Sequence, residues 1–190
     1  MLTVLDAVYP VEGPVYVRGL RGEVPKLFVE PLRLGHHRTI REGSDVLVLV
    51  SGHLTQSAIA VVDDIRRDFP DVGLLNVSTL KPFDDEDLIR KLISAQHVIT
   101  VENHWIGSGL GRIVAGVLVD HRSAAHLTRV GVGDTFTHGG SASYLEDFYG
   151  LSSSHIRRAV LGALGADIEE QGVSDGGGLV GLTEGVAEGL

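Results

Sequence analysis

Two arginines are placed where they could do chemistry. Arg18 and Arg21 follow Val15-Tyr16-Val17, a run that reads as a short strand, and α/β sheets gather ligands at the carboxyl ends of their strands. A guanidinium there could capture an anionic substrate group through two parallel N–H donors. The plainer alternative is a pair of solvated arginines on a loop, and spacing alone leaves both open. A second stretch, Glu102-Asn103-His104-Trp105 followed by Gly107-Ser108-Gly109-Leu110-Gly111, leads from an apolar strand into a helix. Free N–H groups at a helix start attract anions, but a dinucleotide fingerprint would need glycine where Arg112 stands and an acid at the end of the next strand. The loop therefore reads as a tight strand-to-helix turn rather than a phosphate cradle. The nine histidines give no pair at metal-ligand spacing with a completing carboxylate, and His36-His37, being adjacent, should point apart on a strand. Ser51-Gly52-His53 lacks the Gly-x-Ser-x-Gly frame of a hydrolase nucleophile. Lys81-Pro82 reads as loop. With no cysteine, thiolate catalysis, disulfides and thiolate-bound zinc are excluded.

The elements that must hold these residues alternate. Val46–Val50 is uninterruptedly apolar and so should be buried on both faces, as central parallel strands are. From Leu54 to Phe69 apolar residues fall at helical spacing. Val72–Val77 is a second strand, and Asp84 is the expected N-cap of a helix that buries Leu88, Ile89, Leu92 and Ile93. His97–Val101 is a third strand, Ser108–Val119 a third helix and Leu127–Val132 a fourth strand. Ala142–Tyr149, stopped by Gly150, and Ser152–Leu164, capped by its serine, should close the domain. This pattern predicts an α/β fold of three layers, αβα, around a mostly parallel, mixed sheet, with His37–Arg41 as an antiparallel edge. Upstream, Leu2–Val8 reads as the last turns of a helix, and Pro25 and Pro31 bracket a linker.

Charge is unevenly distributed. The chain of 190 residues carries −9, of which six acids lie between Gly165 and Leu190, a stretch with eight glycines and no Lys or Arg. That stretch is expected to be a flexible acidic tail. The remaining body, near neutral and without a basic stripe, argues against a nucleic-acid partner. The N-terminus lacks the pattern of a secretory signal, no apolar run is long enough to span a bilayer, and a cytoplasmic, membrane-free location is expected.

Several motifs, in order, carry a resemblance. Gly13-Pro14-Val15-Tyr16-Val17-Arg18-Gly19-Leu20-Arg21-Gly22-Glu23-Val24-Pro25 resembles the end of the pyrimidine-binding domain of transketolases. Arg41-Glu42-Gly43-Ser44-Asp45-Val46, Thr79-Leu80-Lys81-Pro82-Phe83-Asp84, Thr100-Val101-Glu102-Asn103-His104 with its glycine-rich turn, and Asp134-Thr135-Phe136 followed by Tyr149-Gly150-Leu151 are similar to the C-terminal domain of the same family. The resemblance implies three regions: 1–35, a remnant of the pyrimidine-binding domain with its linker; 36–164, a C-terminal α/β domain of about five strands; and 165–190, the tail. It implies transfer of a two-carbon ketol unit between sugar phosphates, with thiamine diphosphate supplying the carbanion chemistry and Mg2+ holding that cofactor in the complete enzyme. The family's Gly-Asp-Gly clamp and activating glutamate have no match in this sequence, so the chain is expected to hold no cofactor alone and to act in assembly and dimer contacts. Its implied partners are the missing domains or subunit, further copies of itself and, once assembled, a sugar phosphate. One site residue carries over: Arg21 matches the arginine that meets the substrate phosphate. Alternatives are a non-catalytic interaction module, or the C-terminal part of a related thiamine enzyme such as a 2-oxo-acid dehydrogenase beta subunit or a deoxyxylulose-phosphate synthase.

Overall fold

The fold is that of a computed structural model, which describes residues 2–20 and 24–166. Arg21 and residues 167–190, which include most of the expected tail, lie outside the described residues.

The apolar run expected to be central is so. β2 (Val46–Val50) has all five residues buried. It pairs in parallel with β3 (Val72–Asn76) on one side and β4 (His97–Trp105) on the other. β1 (Arg38–Arg41) adds antiparallel to the free edge of β3, and β5 (His126–Val132) adds parallel to β4, giving the order β1-β3-β2-β4-β5. The five-stranded, mostly parallel mixed sheet is the one the sequence pattern predicts.

The two-residue period of a strand sorts β2 between two cores. Val46, Val48 and Val50 face one layer, built on α2 (Thr55–Ile65) and α6 (Ser153–Leu164). Leu47 and Leu49 face the other, built on α3 (Glu86–Ser94) and α4 (Gly109–Asp120). Each fully buried Val or Leu contributes roughly 1.5–3 kcal/mol, so β2 is the strand least tolerant of polar substitution. A short helix, α5 (Ala142–Phe148), buries none of its residues and lies beyond the sheet's end.

Three local expectations are corrected. Val15-Tyr16-Val17 is not a strand: residues 10–34 carry no regular element among the described residues, and Tyr16 is 87% exposed. The segment pairs with no strand of the sheet, and an isolated strand is not stable by itself. The helix after Pro82 starts one residue late, because Asp85, not Asp84, accepts the backbone N–H groups of Asp87 and Leu88. Its buried stripe narrows to Leu88 and Leu92, and Ile93 is 37% exposed. Ser152 is the N-cap residue of α6, but its hydroxyl bonds the Asp147 carboxylate and the Ser154 and His155 side chains instead of a backbone N–H of the helix.

The choice of Asp85 has a tertiary cause. The same carboxylate accepts the His37 backbone N–H at 2.9 Å and pairs with the His37 ring at 2.7 Å, while His36 stands 3.8 Å away. The adjacent histidines therefore converge on one acid instead of pointing apart, because β1 begins only at Arg38. Arg38 itself lies over the Phe28 ring at 4.1 Å and donates to the carbonyls of Glu30 and Pro31. Together these contacts fasten the upstream segment to the sheet domain.

Burial alone would raise the Asp85 carboxyl; the His37 and Leu88 hydrogen bonds and the His37 charge outweigh it and bring the value down to about 2 from 3.8. A depressed folded-state value stabilises the fold above the unfolded value by about 2 kcal/mol, a contribution that disappears as protons return. Stability should therefore fall as the pH drops from 3.8 towards 2. Asp85→Asn is expected to lose about 2 kcal/mol at neutral pH and to show a shallower acid limb in urea unfolding titrations than the parent protein.

Candidate functional site

In an open α/β sheet, ligands bind beyond the carboxyl ends of the strands where the strand order reverses. β2 is followed by β3 on one side, and the chain then crosses to β4 on the other, so the reversal lies between the ends of β2 and β4. β4 runs four residues further than its apolar part suggests, through Glu102, Asn103, His104 and Trp105, with Trp105 pairing to Val132 after a register shift.

Glu102 is 1% exposed. Its two oxygens accept the N–H groups of Leu110 and Gly111, each at 2.7 Å, in the first turn of α4. Ser108, the N-cap residue, makes no side-chain cap bond, so the strand supplies the cap instead. The geometry needs Gly109: its φ is +72°, and an added Cβ would lie 2.1 Å from Glu102 Oε2. Burial pushes the Glu102 carboxyl above the ordinary glutamate value, while the N–H groups of Gly111 and Leu110 and the charge of Arg129 pull it back. The anion-attracting end of α4 is thus filled by the protein's own carboxylate, and the glycine-rich stretch is a strand-to-helix turn.

The next two residues open outward. His104 Nδ1 stands 3.5 Å from Glu102 Oε2, too poorly placed to hydrogen-bond, and is shut off from solvent without a partner. Burial, and then the charge of Arg18, lower the His104 pKa from 6.5, keeping the ring neutral near pH 7. Trp105 packs across Gly107, where a Cβ would lie 2.4 Å from the indole. Together with Arg18, Asn103, Ser108 and Asp134 they line an open groove of about 550 Å³. At the neighbouring end of β2, His53 Nε2 pairs with Glu146 Oε1 at 2.8 Å, tying α5 to the sheet. His53 therefore has an acid partner, but the nucleophile frame missing from the sequence is not rebuilt.

Of the two arginines, Arg18 lies in this groove, while Arg21 falls outside the described residues. Sequence reasoning weighed Arg18 beside Arg21 as a candidate anion contact, without a family match of its own, and used Glu102, His104 and Trp105 only as part of a motif. A signal existed: an acid ending an apolar strand, six residues ahead of a glycine-rich helix start whose serine then need not cap.

A family profile described as "Transketolase, C-terminal domain" matches residues 35–156. The chain belongs to that family. This transketolase C-terminal domain is 36% identical to a transketolase family protein of Sinorhizobium fredii, over 80% of this chain and 46% of that one. It is 35% identical to the 6-deoxy-6-sulfo-D-fructose transketolase subunit of a Clostridium species, over 78% of this chain and 46% of the subunit. A solved split-gene transketolase, an inactive beta4 tetramer, superposes with a TM-score of 0.77 at 30% identity, over 86% of this chain and 54% of its own. Deoxyxylulose-phosphate synthases match over about a quarter of their length. The chain thus spans about half the length of these transketolase relatives.

The family is dependent on thiamine diphosphate. Magnesium and a diphosphate need converging oxygen ligands and free backbone donors. Among the described residues, no three acid or histidine side chains converge on a metal-sized point, and the α4 donors are committed to Glu102. The described residues do not fit that group, and no step through it is assigned to them. No helix among the described residues is long and apolar enough to cross a membrane.

Replacing Glu102 with leucine leaves two buried N–H groups unpaired. Chemical denaturation is expected to show a loss of about 3 kcal/mol or more for Glu102→Leu, and about half of that for Glu102→Gln, which keeps one acceptor oxygen. Gly109→Ala should cost about 2 kcal/mol through strain and the clash with Glu102.

Proposed function

We propose that this chain is the C-terminal portion of a thiamine-diphosphate-dependent transketolase that moves a two-carbon ketol unit between sugar phosphates, completed by a separate polypeptide or domain that holds the cofactor with Mg2+. The observation that carries the reading is the match to split and two-part transketolases over nearly the whole described chain but only about half of theirs. On this reading residues 1–35 are the end of the pyrimidine-binding domain, 36–164 the C-terminal domain, and 165–190 an appended tail. Self-association is part of the same proposal: a relative of similar fold is named as a tetramer of one chain type. The apolar side chains left exposed upstream, Tyr9, Tyr16 and Val29, suit burial against the missing portion. The setting proposed is the cytoplasm.

Arg21 is the substrate contact in this proposal. A guanidinium forms two parallel hydrogen bonds to a phosphate, and the substrate's remote anion can then position its reacting end. In the reconstituted enzyme, Arg21→Gln should raise KM for a phosphorylated ketose by about tenfold or more while leaving turnover of the unphosphorylated sugar near the parent level.

A second reading, formation of 1-deoxy-D-xylulose 5-phosphate, is favoured only by the more distant synthase relatives. Purified alone, the chain is expected to show no ketol transfer and no micromolar thiamine diphosphate binding by calorimetry. Mixed with the polypeptide that supplies the cofactor domain, it should convert a ketose phosphate and an aldose phosphate into two exchanged sugars. Cofactor binding by the chain alone, or product from pyruvate instead of a ketose donor, would replace the proposal.

A further inference from the structure

At the amino ends of β4 and β5, opposite the groove, two histidines stand side by side. His97 opens β4 and His126 opens β5, and the parallel register pairs them directly. Directly paired residues of neighbouring strands share a face of the sheet. The two imidazoles have ring centres 5.3 Å apart, with planes inclined by 22°. No sequence spacing announces the pair, because the whole of α4 lies between them. Both backbones are pinned: the His97 N–H donates to the Asp45 carbonyl at 3.0 Å and the His126 N–H to the Gln96 carbonyl at 2.9 Å. His97 is half-buried and His126 exposed, so the pair is held in place yet open to solvent.

Other histidines have committed ring nitrogens. His37 pairs with Asp85, His53 with Glu146, His138 with Tyr144 and Tyr149, and His155 with Ser152. Among the described residues the His97 and His126 rings make no hydrogen bond or ion pair, and they stack on each other instead. Two imidazoles on one face can act as a chelate. Imidazole suits Zn2+, Cu2+ and Ni2+, whereas Mg2+ and Ca2+ prefer oxygen. Two imidazoles bound at about 2.1 Å to one tetrahedral ion have ring centres roughly 5 Å apart, which the 5.3 Å separation matches. A turn about χ2, a broad torsion in histidine, takes each ring from stacking to aiming one nitrogen at the shared point. Among the described residues no group of three acids or histidines converges on a metal-sized point, so water must complete the coordination of such an ion, as it does at open sites.

We propose that His97 and His126 form a two-imidazole binding site for a transition-metal dication of the Zn2+ type, with water in the remaining positions. The site lies at the other end of the sheet from the groove and does not depend on the ketol-transfer reading; its test needs neither cofactor nor partner.

The full chain is titrated with Zn2+ up to about 1 mM, a range that reaches weak complexes, at about pH 7.5, above the ordinary imidazole range. Binding is followed by calorimetry and by the histidine C2–H signals in proton NMR. Two signals, those missing from His97→Gln and His126→Gln, should move together with one midpoint, ahead of the other histidines. Each single substitution should weaken binding about tenfold or more, because the second nitrogen of a chelate binds intramolecularly. The double variant should lose far less than the sum of the two single losses. His126→Gln alters an exposed side chain and leaves the core untouched, so its affinity is readable even where His97→Gln disturbs the strand. His138→Gln, at the opposite end of the sheet, should bind as the parent does, and Mg2+ should leave both signals in place. Signals of His97 and His126 that move no earlier than those of the other histidines overturn the site. So does parent affinity in His126→Gln, or additive losses in the double variant, which mark two independent surface ligands. Failure of ketol transfer in the reconstituted enzyme would leave this result standing.

Discussion

The carboxylate of Glu102 lies beneath the first turn of α4, and much of the domain's functional end depends on it. Two N–H groups that would otherwise be unpaired at a helix start are satisfied by an acid from the preceding strand. The strand must therefore continue past its apolar half, through His104 and Trp105, and the turn must pass through a left-handed glycine at position 109. A buried carboxylate is costly to place; the helix dipole and two short bonds offset that cost locally. A helix start free to bind phosphate and one sealed by its own acid look alike in composition but differ in chemistry.

A second constraint connects the upstream segment to the domain. His37, Asp85 and the start of α3 form one hydrogen-bonded unit, and Arg38 reaches back to Phe28, Glu30 and Pro31. This unit sets the register of the antiparallel edge strand and fixes where the linker leaves the sheet. It thereby determines which part of the upstream segment meets the end of β4 and brings Arg18 to His104. The linker is held by specific contacts and not by length alone.

Apolar surface is distributed unevenly along the chain. The core behind β2 is complete, with both faces of the sheet covered by helices, while large apolar side chains stay exposed along residues 9–29. A sheet domain that needs nothing further to bury its strands is joined to a segment that has no sheet of its own.

Periodicity by itself determined the sheet and its helices. An unbroken apolar run at Val46–Val50 has to lie between two layers, and helical spacing from Leu54 to Phe69 has to cover one of them, because both follow from where side chains point along a strand or helix. Motif order likewise determined the family. What sequence could not decide was every outcome set by contacts between distant residues: that Asp85 rather than Asp84 starts α3, that His36 and His37 turn to the same acid, and that Val15–Val17 joins no strand of the sheet. Glu102 was legible as an acid at a strand end, but its role depends on α4 folding back over it, which brings Leu110 and Gly111 within hydrogen-bond reach. The groove is the clearest case. Arg18, His104 and Asp134 are far apart in the chain, and no spacing rule relates them; only the packing of the linker against the carboxyl ends of β4 and β5 makes them neighbours.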